Sequence, residues 1–250
     1  MSILFAIFAA LLGSILASFI GVIAERTGTG ESWVRGRSHC NSCAHVLDLR
    51  DLVPIASWLG SGGRCMRCSA RLPVAYLLSE VALALAFYFS ALVLGPTVLF
   101  VAFTASLSIL LFIVLYDLRH MVVPMEASAL FVLLALVTSY LASIDQYVLG
   151  LTLVFAGAIG FLFFLAYFLS GGRVMGLGDS PVALGLALMV GSTHALVGLV
   201  FSFWVGALCG IVILVRRPKG HRMGIEVPFV PFLAAGFLLA FFTGWNPFFF

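Results

Sequence analysis

A chain of 250 residues, of which 63% are hydrophobic and only 9% charged, is too apolar to be a soluble domain, which sits nearer half apolar. Most of it must face lipid or other membrane segments. A net charge of +3, with no interleaving of basic and aromatic residues, also excludes a nucleic-acid-binding protein.

Runs of about twenty apolar residues can each cross the roughly 30 Å hydrocarbon core. They lack the ten-residue alternation of barrel strands, so backbone satisfaction in lipid makes them helices. The expected fold is an all-α polytopic membrane protein with about eight transmembrane segments. These fall at 3–24, 74–94, 98–116, 126–143, 148–170, 181–191, 194–215 and 228–248. The sixth is short, either a half-helix or a span completed by the residues around it. The first run begins at Ile3 with no basic stretch before it, and Ala24-Glu25-Arg26 is a poor cleavage site, so it reads as a retained helix.

All thirteen Lys and Arg fall in alternate connections: Arg26 to Arg71, Arg119, Arg173, and Arg216 to Arg222. The intervening turns at 94–97, 143–146 and 191–194 have none. The positive-inside rule then puts the basic connections in the cytoplasm and both termini outside. The expected organisation is a first helix at 1–24, a cytoplasmic insert at 25–73 and a transmembrane core at 74–250.

The insert carries seven Arg, no Lys, and two knuckles, Cys40-Asn41-Ser42-Cys43 and Cys65-Met66-Arg67-Cys68, with 21 residues between them. Four thiolates on two such turns suit one tetrahedral Zn²⁺ at about 2.3 Å. Disulfides are disfavoured in the reducing cytosol. His39 and His45 stand beside the first knuckle as substitute ligands or as solvated loop residues. So small an insert has little core, and zinc would supply much of its folding free energy. Its arginines suit anionic headgroups of the bilayer or simply set orientation. Glu80, about two turns into the second span, needs a partner at that depth. The insert, Arg71 and Tyr76 are the candidates, with a cationic substrate group as the functional alternative. Cys209, inside an apolar run, reads as a packing residue.

Two acids stand at the edges of apolar runs. Asp117 closes one, in Leu115-Tyr116-Asp117-Leu118-Arg119, and Asp179 opens another, in Met175-Gly176-Leu177-Gly178-Asp179. The charge count puts both at the cytoplasmic face. Each has an ordinary explanation: Asp179-Ser180-Pro181 resembles a helix start with an N-cap and a proline at the first helical position, and Asp117 could be a solvated acid beside Arg119 and His120. Paired, they can share a proton, one activating water and the other donating to the oxyanion. No Ser-His-Asp pattern, HExxH or phosphate loop competes with them.

These features resemble the type IV prepilin peptidases, bacterial membrane aspartyl proteases of the GxGD class. The likeness runs from Gly13-Ser14, Ser18-Phe19, Val22 and Arg26 through both CxxC pairs, Pro54, Ser57-Trp58 and Glu80. It continues through Asp117 with Pro124 and Gly176-Leu177-Gly178-Asp179 to Val227-Pro228-Phe229-Val230-Pro231-Phe232. The chain departs from the family pattern at Pro181, where a lysine is usual, at Met125 and near Gly21. The resemblance implies a multi-pass protein of the bacterial inner membrane with Asp117 and Asp179 catalytic and Cys40, Cys43, Cys65 and Cys68 on zinc. It implies removal of the leader peptide from type IV prepilins or pseudopilins, with S-adenosylmethionine as donor for N-methylation of the new amino terminus. A catalytically silent zinc-containing scaffold of a pilus or secretion assembly is the rival reading. A transporter is disfavoured because its acids sit nearer the midplane. The sequence leaves the oligomeric state open.

Overall fold

The computed structural model describes residues 3–27, 32, 36–40, 42–48, 50–173, 175–216 and 227–245. Among them there is no strand, only helices, turns and the isolated bridges His39–Val46 and Arg64–Arg71. The helices are α1 (Ile3–Arg26), α2 (Ala56–Gly60), α3 (Val74–Leu94), α4 (Val98–His120), α5 (Met125–Ala142), α6 (Gln146–Ser170), α7 (Asp179–Val190), α8 (Ser192–Arg216) and α9 (Val230–Thr243).

Each of the eight expected apolar segments contains a helix, and α2 is added inside the insert. Six of them, α1, α3, α4, α5, α6 and α8, are long and apolar enough to cross a membrane. Helices α7 and α9 are apolar but shorter, with 12 and 14 residues. Twelve residues rise only about 18 Å. The basic residues of 217–222 and the end of the last expected span lie outside the described residues.

The chain divides into two compact units, Met1–Phe100 and Val101–Phe250. In the first, α1 lies against α3. The buried face of α1 is mostly small residues, Ala6, Ala9, Gly13, Ser14, Ala17, Gly21 and Ala24, with Ile20 among them. Between apolar helices in lipid there is no hydrophobic drive to associate, so close approach has to supply dispersion contact instead. Gly13 shows how close: a Cβ there would stand 2.8 Å from the Leu83 carbonyl oxygen.

The second unit is built around α7. Nine of its twelve residues are buried, and helices α5, α6, α8 and α9 pack on it. A helix that is apolar on every side belongs inside a bundle, which is why α7 need not span. Glycines set its contacts. A Cβ on Gly185 would lie 2.6 Å from the Phe131 ring on α5, and one on Gly160 of α6 would lie 2.9 Å from the Leu184 Cβ. Ser180 Oγ donates to the Gly160 carbonyl at 2.8 Å, which fixes the first turn of α7 against α6. Helices α8 and α9 meet in the same way, with Gly198 under Phe237 and Gly236 against the Ser202 backbone.

Candidate active site

Asp117 sits in the last turn of α4, ahead of Arg119 and His120. The helix ends at Met121, whose φ of +52° turns the chain left-handed. The carboxyl group is buried at 5% exposure, so it is not the solvated acid that Arg119 and His120 alone would allow. Its Oδ2 accepts a hydrogen bond from the Val230 backbone N–H at 3.3 Å. Val230 is the first residue of α9, and Pro231, the second, has no N–H of its own. A helix N-terminus offers uncommitted N–H groups and the positive end of the helix dipole, so a carboxylate is well placed there.

Asp179 is held by its own turn. Its N–H donates to the Gly176 carbonyl at 3.2 Å, and its Oδ2 accepts from the Gly176 N–H at 3.1 Å. The side chain is 7% exposed. The ordinary alternative, in which Asp179 or Ser180 caps the helix, does not hold. The N-cap of α7 is Gly178, Asp179 is the first helical residue, and its carboxylate reaches back to Gly176 instead of forward into the helix. Pro181 is accordingly third in the helix, not first. It fits because N–H groups in the first turn have no intrahelical acceptor to lose.

The two glycines of this turn differ in what surrounds them. Neither has a left-handed φ. Gly178 is required by a neighbour: a Cβ there would collide with Val123, in the connection between α4 and α5. Gly176 has ordinary room, with Asp179 Oδ2 3.6 Å from where its Cβ would stand. The Gly178–Val123 contact therefore presses the turn that bears Asp179 against the segment that follows Asp117.

The result is two buried carboxyl groups, 62 residues apart in sequence, at one end of the second unit. Val123, six residues after Asp117, packs on Gly178, the residue before Asp179. Each has one oxygen that accepts from a backbone N–H.

The four-cysteine cluster is in the first unit. The ligand atoms of Cys40, Cys43, Cys65 and Cys68 all lie within 4.8 Å of one another. Cys40 Sγ and Cys68 Sγ are 3.8 Å apart, matching the roughly 3.8 Å edge of a tetrahedron with Zn–S bonds of about 2.3 Å. The two knuckles repeat one backbone design. Cys40 N–H donates to His45 O and Ala44 N–H to Cys40 O. In the second, Cys65 N–H donates to Ala70 O and Ser69 N–H to Cys65 O. Ala44 and Ser69 both turn left-handed, at φ +54° and +57°. Backbone N–H groups of Ser42 and Cys43 hold the Cys40 thiol down to about 6, which favours the thiolate that a metal takes. His39 and His45 do not join the cluster.

Glu80 is buried, and its Oε2 accepts from the Ile55 N–H at 2.7 Å, tying α3 to the insert. Of the partners considered from sequence, the insert is the one it meets here. Two arginines of the basic connection also have specific work. Arg26 donates to the carbonyls of Ser32 and Arg37, and Arg37 to that of Leu47, so they brace a loop with little core. The Val230 N–H and the Val123 contact were not found by sequence reasoning. Pro228 and Pro231 around Val230 were the available signal.

Comparison with known proteins gives two family matches. Residues 11–94 match "Bacterial Peptidase A24 N-terminal domain", and residues 104–211 match "Type IV leader peptidase family". Among similar proteins, three are named "Prepilin leader peptidase/N-methyltransferase". One from Aeromonas hydrophila is 30% identical over 83% of this chain and 72% of its own length. One from Bacillus subtilis is 27% identical over 93% and 92%. One from Myxococcus xanthus is 30% identical over 86% of this chain and 65% of its own. No solved structure matches.

The packing separates the two glycines experimentally. Gly176→Ala should keep peptide cleavage within about threefold of wild type. Gly178→Ala forces Val123 away at an overpacking cost of about 1–3 kcal/mol and should lower cleavage about tenfold or more. Initial rates on a peptide substrate, with membrane levels of each variant matched, check this.

Proposed function

The chain belongs to the type IV leader peptidase family, and on that premise we propose that Asp117 and Asp179 form its catalytic pair. The substrate is the leader-bearing amino terminus of a type IV prepilin or pseudopilin. The observation that carries the proposal is two buried carboxyl groups in a single compact unit, the turn that bears Asp179 packing through Gly178 on Val123, six residues after Asp117. Two such groups in a weakly polar site do not both ionise, so the pair holds one proton. The ionised member takes a proton from water as the oxygen attacks the scissile carbonyl. The protonated member donates to the developing oxyanion, and the amide nitrogen leaves after taking a proton. The two titrate as one system, and no fixed acid or base is assigned within it. The Val230 and Gly176 N–H groups orient the carboxylates throughout.

Location follows from charge placement. The cytoplasmic ends of α4 and α7 would bear the acids, so that a basic leader arrives from the cytosol and the apolar pilin helix from the bilayer of the inner membrane. Both chain termini would lie on the opposite side. Cys40, Cys43, Cys65 and Cys68 would hold one structural Zn²⁺, which fits their spacing and contributes to folding of the insert. The relatives' names support a second activity, N-methylation of the new amino terminus, with S-adenosylmethionine supplying the methyl group.

Asp117→Asn and Asp179→Asn, each at wild-type membrane levels, should lower prepilin cleavage by about 10²- to 10⁴-fold, the usual range for losing a general acid or base. Cleavage by both variants at the wild-type rate would contradict the aspartyl mechanism, and failure of wild type itself on several prepilins would favour the silent scaffold. Purified wild type should contain one zinc per chain. Cys65→Ser should lose it and melt at a lower temperature, measured by elemental analysis and a thermal scan in detergent.

A further inference from the structure

The insert holds one residue in a backbone conformation that bulky side chains rarely adopt. Ile55 has φ +62° and ψ −54°, and the Ala56 N–H donates to the Pro54 carbonyl at 2.6 Å. This is a γ-turn of the rare, strained hand, centred on a β-branched residue for which a positive φ is a marked outlier. Strain of this kind persists only where the surroundings over-determine it.

The group that holds the turn is a carboxylate on a helix of membrane length. Glu80 lies about two turns into α3 and is 8% exposed, and its Oε2 accepts from the Ile55 N–H at 2.7 Å. A buried acid needs a donor and the strained turn needs an anchor, so one bond meets both needs. The turn leads straight into α2, whose Leu59 N–H donates to the Ile55 carbonyl at 3.0 Å. The Trp58 ring of α2 lies over Gly63, where a Cβ would stand 2.7 Å from it. The Gly63 N–H donates to the Trp58 carbonyl at 2.9 Å, and the Gly63 carbonyl accepts from the Leu72 N–H at 2.8 Å. Cys65 and Cys68 belong to the loop that this last bond closes, and Pro73 then caps α3. Backbone bonds and one ring contact therefore run without a gap from Glu80 to the base of the second knuckle.

We propose that Glu80 is a positioning residue for the four-cysteine metal site. Acting through Ile55, it holds α2 and Gly63 where the second knuckle presents Cys65 and Cys68 to zinc alongside Cys40 and Cys43. The assignment rests on the zinc reading of the insert given above. Groups outside the ligand set commonly tune metal affinity, because they fix ligands that would otherwise relax. Here the group belongs to α3, so retention of the metal and docking of the insert on that helix become one equilibrium. By linkage, zinc then strengthens the Glu80–Ile55 bond by the same factor as that bond strengthens zinc binding.

The experiment uses the full zinc-loaded chain in detergent and follows two readouts, zinc loss to a chromogenic chelator and amide hydrogen exchange at Ile55. Glu80→Gln keeps an acceptor but removes its charge, and should speed both about tenfold. Ile55→Gly keeps the N–H and takes a positive φ without strain, so in that background Glu80→Gln should speed zinc loss by less than about threefold. A carboxylate that merely stabilised α3 would cost the same factor in either background. Wild type supplies a second test should Glu80→Gln not fold: stripping zinc should speed exchange at Ile55 about tenfold, while the amides of 84–94 in α3 keep their protection. Unchanged zinc loss in Glu80→Gln, an equal cost in both backgrounds, or Ile55 protection indifferent to zinc overturns this role and leaves the zinc site standing. Wild type that holds no zinc overturns the zinc site and this role together.

Discussion

Everything at the candidate active site depends on a short helix packed too closely to admit a side chain at certain positions. Helix α7 has about half the length a span needs, so it must be enclosed by its neighbours. Gly185 under Phe131, Gly160 under Leu184 and Gly178 under Val123 let it come that close. Interiors packed this densely transmit small displacements instead of absorbing them. An extra methyl at Gly178 would therefore be felt at Asp179, one residue away.

That enclosure creates the chemical problem the site has to manage. A buried carboxylate loses its hydration, and a second one nearby adds repulsion. The fold offers each acid one backbone N–H, from Val230 and from Gly176, and such a bond to a charged group contributes about 1.5–3 kcal/mol. One donor apiece is modest compensation. A pair that shares a proton carries a single negative charge and is easier to accommodate, and it is also the form that can activate water and protonate an oxyanion together.

Much of this was legible in the sequence because membrane helices and metal knuckles leave strong local signals. Apolar run length placed eight helices, and CxxC spacing brought Cys40, Cys43, Cys65 and Cys68 together. The two acids stood out because acids are rare at the edge of hydrocarbon. What remained hidden was set by packing between distant segments. Asp179-Ser180-Pro181 has the composition of a capped helix start, yet the tertiary turn draws the carboxylate back to Gly176. Gly176 and Gly178 look alike in sequence, and only the position of Val123 tells them apart. The Val230 N–H that meets Asp117 is a backbone group 113 residues away, and no side-chain pattern encodes it. Glu80 had three candidate partners by proximity, and the bond to Ile55 depends on how the insert folds back.

The central claim is that Asp117 and Asp179 act as one unit. A double-mutant cycle tests it most directly, with single-turnover prepilin cleavage measured for wild type, Asp117→Asn, Asp179→Asn and the double variant at equal membrane levels. Residues that act together are grossly non-additive. The account predicts that all three variants fall to the same residual rate, so the second substitution costs nothing once the first is made. Independent losses that multiply in the double variant would contradict it.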